Sequence, residues 1–210
     1  MTKVPATPPA SFTTDPDEHI LEYDGPLWRV YKQGGDFPSA WDELRYFGPA
    51  KGMRFDPHPL PPQLHTSVGV TYAATKPQTA LAESFQALRT IERSRDQVAI
   101  ASWKPTRPLV LLDLSSTWPV ANGASASIQM GPKRHTQTWA RAIYDRLGDD
   151  IDGLWFLSSV TGEPSLTLFD RTKRQNAWPT RHVDGYLLAD AAADVIVYAT
   201  AKKLNFAVKS

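Results

Sequence analysis

Two apolar runs, VAIASW at residues 98–103 and LVLLDL at 109–114, flank the short turn KPTRP. A chain carrying them must build a sheet around them. The second run is almost unbroken, the pattern of a strand with neighbours on both edges and cover on both faces. It is expected in mid-sheet. Aromatic and β-branched content predicts further strands at PLWRVY (26–31), GVTYAA (69–74), DGLWFLSS (152–159) and SLTLFD (165–170), the last two joined by a TGEP turn.

Helical spacing falls between these strands. Residues 76–93 carry Leu81, Phe85, Leu88 and Ile91 on one stripe, with Thr75 and Gln78 as a capping box and Pro77 in the first turn. HTQTWARAIYDRL (135–147) is amphipathic on Trp139, Ile143 and Leu147 and ends at Gly148. A short helix capped by Ser39 is predicted over 39–48. The C-terminal ADAAADVIVYATAKKL is helical by its alanines, with a strand at VIVYA as the alternative. Four prolines between 57 and 62 exclude regular structure there. Strands and helices mix without a regular βαβ alternation. The fold class is therefore α+β, with a mixed or antiparallel sheet core and flanking helices. One domain is expected over 21–210, preceded by a mobile Pro- and Thr-rich tail over 1–20.

Several function classes are excluded or disfavoured. The chain has no cysteine, so it has no disulfide, thiol nucleophile or cysteine-bound metal. A net charge of +1 gives no general attraction to nucleic acid or to anionic lipid. No run has the length of a membrane span, and the first residues lack the apolar core of a secretory signal, so a cytoplasmic location is expected. GxGxxG, Walker A, GxSxG and HExxH patterns are missing. Asp56, His58 and His65 lack a metal-ligand spacing and are read as structural, so no metal and no resident cofactor is expected. From periodicity alone, Glu83 falls at the border of its helix's apolar face, where a solvated carboxylate is the ordinary reading.

Four blocks in order change that reading: LWRVY with Arg29, KGMRFDPH with Arg54, GVTYAATKPQTALAESF with Tyr72 and Glu83, and DGLWFLSSVTGEPSLTLFD with Ser158. Over roughly 26–170 the chain resembles the RES domain family. Met53 and Asp56 depart from the family's usual residues around Arg54.

The resemblance implies a fold related to the diphtheria-toxin-like ADP-ribosyltransferases, with NAD+ as substrate. It implies cleavage of the nicotinamide–ribose bond with phosphate or water as acceptor. Glu83, Arg29 and Ser158 would be catalytic, and Arg54 and Tyr72 would bind substrate. Ser159 is the alternative to Ser158. A toxin role with a helix-turn-helix antitoxin partner is implied, and a homodimer is possible. A protein-directed ADP-ribosyltransferase and a non-catalytic binding module are the competing readings. Oxocarbenium-like chemistry needs a nearby carboxylate, and a pyrophosphate needs guanidinium groups, which suits these residue types.

Overall fold

The computed structural model describes residues 4–210. In chain order its strands are β1 (Ile20–Tyr23), β2 (Leu27–Lys32), β3 (Phe47–Gly48), β4 (Gln63–Leu64), β5 (Val70–Ala74), β6 (Thr90–Glu92), β7 (Val98–Trp103), β8 (Leu109–Asp113), β9 (Gly153–Leu157), β10 (Pro164–Phe169), β11 (Asp184–Leu187) and β12 (Ala207–Lys209). The α-helices are α1 (Pro16–His19), α2 (Pro77–Phe85), α3 (Trp118–Ala121), α4 (Lys133–Leu147), α5 (Arg171–Arg174) and α6 (Asp194–Leu204).

Eight strands form one mixed sheet in the order β1-β8-β9-β10-β5-β2-β7-β11, in which only the β8–β9 junction is parallel. The run 109–113 lies inside the sheet, between β1 and β9, as its unbroken hydrophobicity predicts.

The sheet has to curl. Strands β7 and β8 stand five places apart, about 24 Å if the sheet were flat. The link from Trp103 to Leu109 can span at most about 21 Å even when fully extended. Trp103 and Leu109 accordingly share one inner cluster with Leu27, Ala73, Leu111, Leu166 and Leu168, drawn from strands on both sides of β5.

Helices cover the outer face. Trp139 and Ile143 of α4 pack on Leu112, Leu154 and Phe156, while Leu81 of α2 and Val197 of α6 pack on Ile100, Trp28 and Val30. Between these two helical covers lies a seam. Strands β2 and β5 are paired only at Trp28 and Ala74, and beyond that pair they part.

Three expectations are corrected. Residues 39–48 form no helix, because backbone groups that would propagate one are committed elsewhere. Arg29 Nη1 donates to the carbonyls of Trp41 and Glu43, at 2.9 and 2.6 Å, and Arg45 N donates to Val70 O at 2.8 Å. Helix α2 ends at Phe85 instead of running to 93. Arg89 adopts φ +48° and turns the chain into β6, which pairs in parallel with β12. Leu88 is consequently exposed, while Ile91 is buried from a strand.

The third correction concerns the segment read as a mobile tail, whose described part lies against α3 and α4. Val4 is buried and its carbonyl accepts from His135 Nδ1, the Pro5 carbonyl accepts from Trp139 Nε1, and the Phe12 ring packs on Trp118. Two apolar side chains and two carbonyl contacts anchor a stretch whose composition alone reads as free. At the other end of the chain, VIVYA resolves as helix within α6.

Candidate functional site

Helix α2 carries Glu83 towards the end of β9, where Ser158 follows the last strand residue. Ser158 Oγ donates to Glu83 Oε1 at 2.5 Å. Ser158 Oγ also accepts from Val160 N at 3.1 Å and from Thr161 N at 3.2 Å. Two backbone donors on the lone pairs leave the hydroxyl proton one direction, towards the carboxylate. Gln86 Nε2 holds the other carboxylate oxygen at 2.9 Å. Ser158 is buried and Ser159 is exposed, which separates the two adjacent serines. The Ser158 hydroxyl thus holds Glu83 in place.

Arg54 lies within range of the Glu83 charge. Its Nη1 donates to Gly131 O at 2.5 Å, just before α4. Burial lowers its pKa from the ordinary guanidinium value, and the charge of Glu83 acts in the opposite direction. The loop bearing Arg54 is fixed by its neighbours. Phe55 is fully buried against Phe156, and the buried Asp56 accepts from Ala50 N at 2.7 Å and from His58 Nδ1 at 2.5 Å. Burial works to raise the Asp56 pKa, but His58, Arg45 and the Ala50 N–H together hold it below the ordinary range.

Arg29 is reached along the open edge of β2. A cleft of about 460 Å³ runs there, lined by Arg29, Met53, Ser84 and Phe85 among others. Met53 and Ser84, in its wall, are the chain neighbours of Arg54 and Glu83. Burial pushes Arg29 down to about 10, against the charges of Glu43 and Asp42 that favour its protonated form. Its contacts with Trp41 and Glu43 use one nitrogen, Nη1.

Tyr72, in β5, lies beside Arg45, with its hydroxyl 3.5 Å from Arg45 Nη2. Burial raises its pKa, and the Asp56 charge adds to that. The structure thus joins Glu83 to Ser158, puts Arg54 within range of the Glu83 charge, sets Arg29 in a cleft whose wall includes Ser84 and Met53, and links Tyr72 to Asp56 through Arg45.

Arg45 escapes sequence reading. Its Nη2 forms an ion pair with Asp56 Oδ2 at 2.8 Å, and its charge acts on Arg29. In ELRYFG it looks like a solvated cation on a helix. Only its bridge to Val70 turns it inwards. Asp56 and His58 spend polar atoms on each other, and His65 Nε2 approaches the Pro61 carbonyl.

Comparison with known proteins places the chain. The RES domain family model matches residues 26–189, and the chain belongs to this family. Among solved structures it is similar to a chain of the crystal structure of the M. tuberculosis MbcT–MbcA toxin–antitoxin complex. That match has a TM-score of 0.55 and 16% identity, and covers 87% of this chain and 92% of the other. The likeness is one of fold. No match was found among curated proteins. Among the described residues, no helix is long and apolar enough to cross a membrane.

Proposed function

We propose that the chain cleaves NAD+ at the bond between the nicotinamide nitrogen and the ribose. The contact between Ser158 Oγ and Glu83 Oε1 carries this reading. It fixes a carboxylate whose charge reaches Arg54, with Arg29 in the cleft whose wall includes Ser84 and Met53. In the proposed step the C1′–N bond breaks and its electron pair leaves with neutral nicotinamide. Glu83 stabilises the positive charge that develops on the sugar. Arg54 and Arg29 hold the pyrophosphate. A phosphate oxygen then bonds C1′ and gives ADP-ribose 1″-phosphate. Water in its place gives ADP-ribose and a proton. The reading includes kinship of the fold with the diphtheria-toxin-like ADP-ribosyltransferases.

Incubating the protein with labelled NAD+, with and without phosphate, tests this. Release of free nicotinamide is expected, with a phosphorylated sugar product when phosphate is present. Label attached to a macromolecule would instead mark a protein-directed transferase. Intact NAD+ after long incubation would mark a binding module. Ser158→Ala is expected to lower kcat about tenfold with little change in KM, since it frees the carboxylate without removing it. An unchanged kcat would remove Ser158 from the account.

The fold likeness to a chain of a toxin–antitoxin complex supports a toxin role. A small helix-turn-helix protein that covers the cleft is the proposed partner. Expression without it should deplete cellular NAD+ and arrest growth, and co-expression should restore growth.

A further inference from the structure

The cleft beside Arg29 carries more apolar surface than a phosphate clamp needs. Phe37, Leu88 and Met53 all line it, and they are 88%, 61% and 42% exposed. Large apolar side chains gathered in one concave site mark a place where a flat or apolar group binds.

Phe37 stands on a loop with a fixed base and a free tip. Ser39 N donates to Lys32 O at 2.7 Å and closes the loop at the end of β2. Gln33 N and Gly34 N donate to the carbonyls of Gln97 and Asp96, at 3.2 and 2.9 Å. Gly35 has φ +81°, and a Cβ there would lie 2.8 Å from Asp96 Cγ, so glycine is required at this turn. The aromatic ring beyond it is held out over the cleft without packing on the core.

We infer that Phe37, with Leu88 and Met53, forms the lobe that takes the adenine ring of the dinucleotide. This deepens the proposed NAD+ reading and rests on it. Continuity selects the occupant. Met53 and Ser84, which line the cleft, are the chain neighbours of Arg54 and Glu83, where the proposed reaction places the sugar. Arg29 lies in the same cleft to meet the pyrophosphate, so the remaining apolar wall falls to the other base. Stacking on an aromatic ring is the recognition chemistry involved.

The test is a set of calorimetric titrations of wild type and Phe37→Ala with AMP, ADP-ribose and nicotinamide mononucleotide, alongside NAD+ turnover. Phe37→Ala should weaken AMP and ADP-ribose about tenfold relative to nicotinamide mononucleotide. Phe37→Trp should restore the ratio. Phe37 is exposed, so the variant's Tm should match that of wild type, and a lowered Tm would contradict the placement. An unchanged ratio in a wild type that consumes NAD+ overturns the lobe and leaves the proposed function standing. A wild type that binds none of the three and leaves NAD+ intact overturns both.

Discussion

Glu83→Gln is expected to lower kcat for NAD+ cleavage by about 10³-fold, roughly 4 kcal/mol of transition-state stabilisation. The substitution is nearly isosteric. Ser158 can still donate to the amide oxygen, and the exposed Gln86 can turn its own amide oxygen to the new NH2, so the side chain keeps its place. What disappears is the negative charge that, in the proposed step, offsets the developing sugar cation. Arg54 also loses the anion whose charge acts on it. Its attraction for a pyrophosphate should therefore rise, and KM should stay level or fall. A drop in kcat without a rise in KM is the signature of a group needed in the transition state and not for ground-state binding. Steady-state nicotinamide release over a range of NAD+ concentrations checks it. An equal rise in KM with unchanged kcat would make Glu83 a binding residue only.

Asp152→Ala is expected to cost about 3–5 kcal/mol of folding stability, a large share of a domain's total. Asp152 is fully buried. Arg107 grips it with two nitrogens at 2.6 and 2.8 Å, Arg171 adds a third contact at 2.9 Å, and Val110 N a fourth at 2.9 Å. Its own backbone ties β8 to β10, through Asp152 N to Val110 O and Phe169 N to Asp152 O. Removing the carboxylate strands two partly buried guanidinium groups and one amide. For a domain of this size Tm should fall by roughly 10 °C. Asp149, 90% exposed and paired with Arg174, serves as the contrast, and Asp149→Ala should cost less than about 1 kcal/mol. Equal effects of the two substitutions in urea melts would contradict this placement.

The same network sets an acid limit. Burial tends to raise the Asp152 pKa, but Arg107, the Val110 N–H and Arg171 hold it below the ordinary carboxylate value. A carboxyl whose pKa is lowered in the folded state contributes its full stability above its unfolded value, about 3.9, and loses it as pH falls through the folded value. Wild-type urea midpoints should fall below about pH 4. Asp152→Asn should be less stable at neutral pH and show a shallower fall in acid.

The parts of the fold legible in the sequence were those with dense local signal. The runs at 98–103 and 109–113 and the amphipathic 135–147 segment stand where their patterns place them. The failures share one cause, which is long-range competition for backbone groups. Arg29 takes the carbonyls of the expected 39–48 helix. Strand β12, more than a hundred residues away, draws residues 90–92 out of helix α2. Val4 and Phe12 find cover on α3 and α4 that no local window shows. The same holds at the site. Glu83 and Ser158 became visible through the order of four blocks. Arg45 depends on Asp56, Tyr72 and Val70 being folded around it, and nothing in its own segment announces that.

A crystal of Glu83→Gln soaked with NAD+ tests the account most directly. Intact NAD+ is predicted with its nicotinamide ribose C1′ facing residue 83, its pyrophosphate against Arg54 and Arg29, and its adenine at Phe37. A dinucleotide bound elsewhere, or a cleft that stays empty at saturating NAD+, would contradict it.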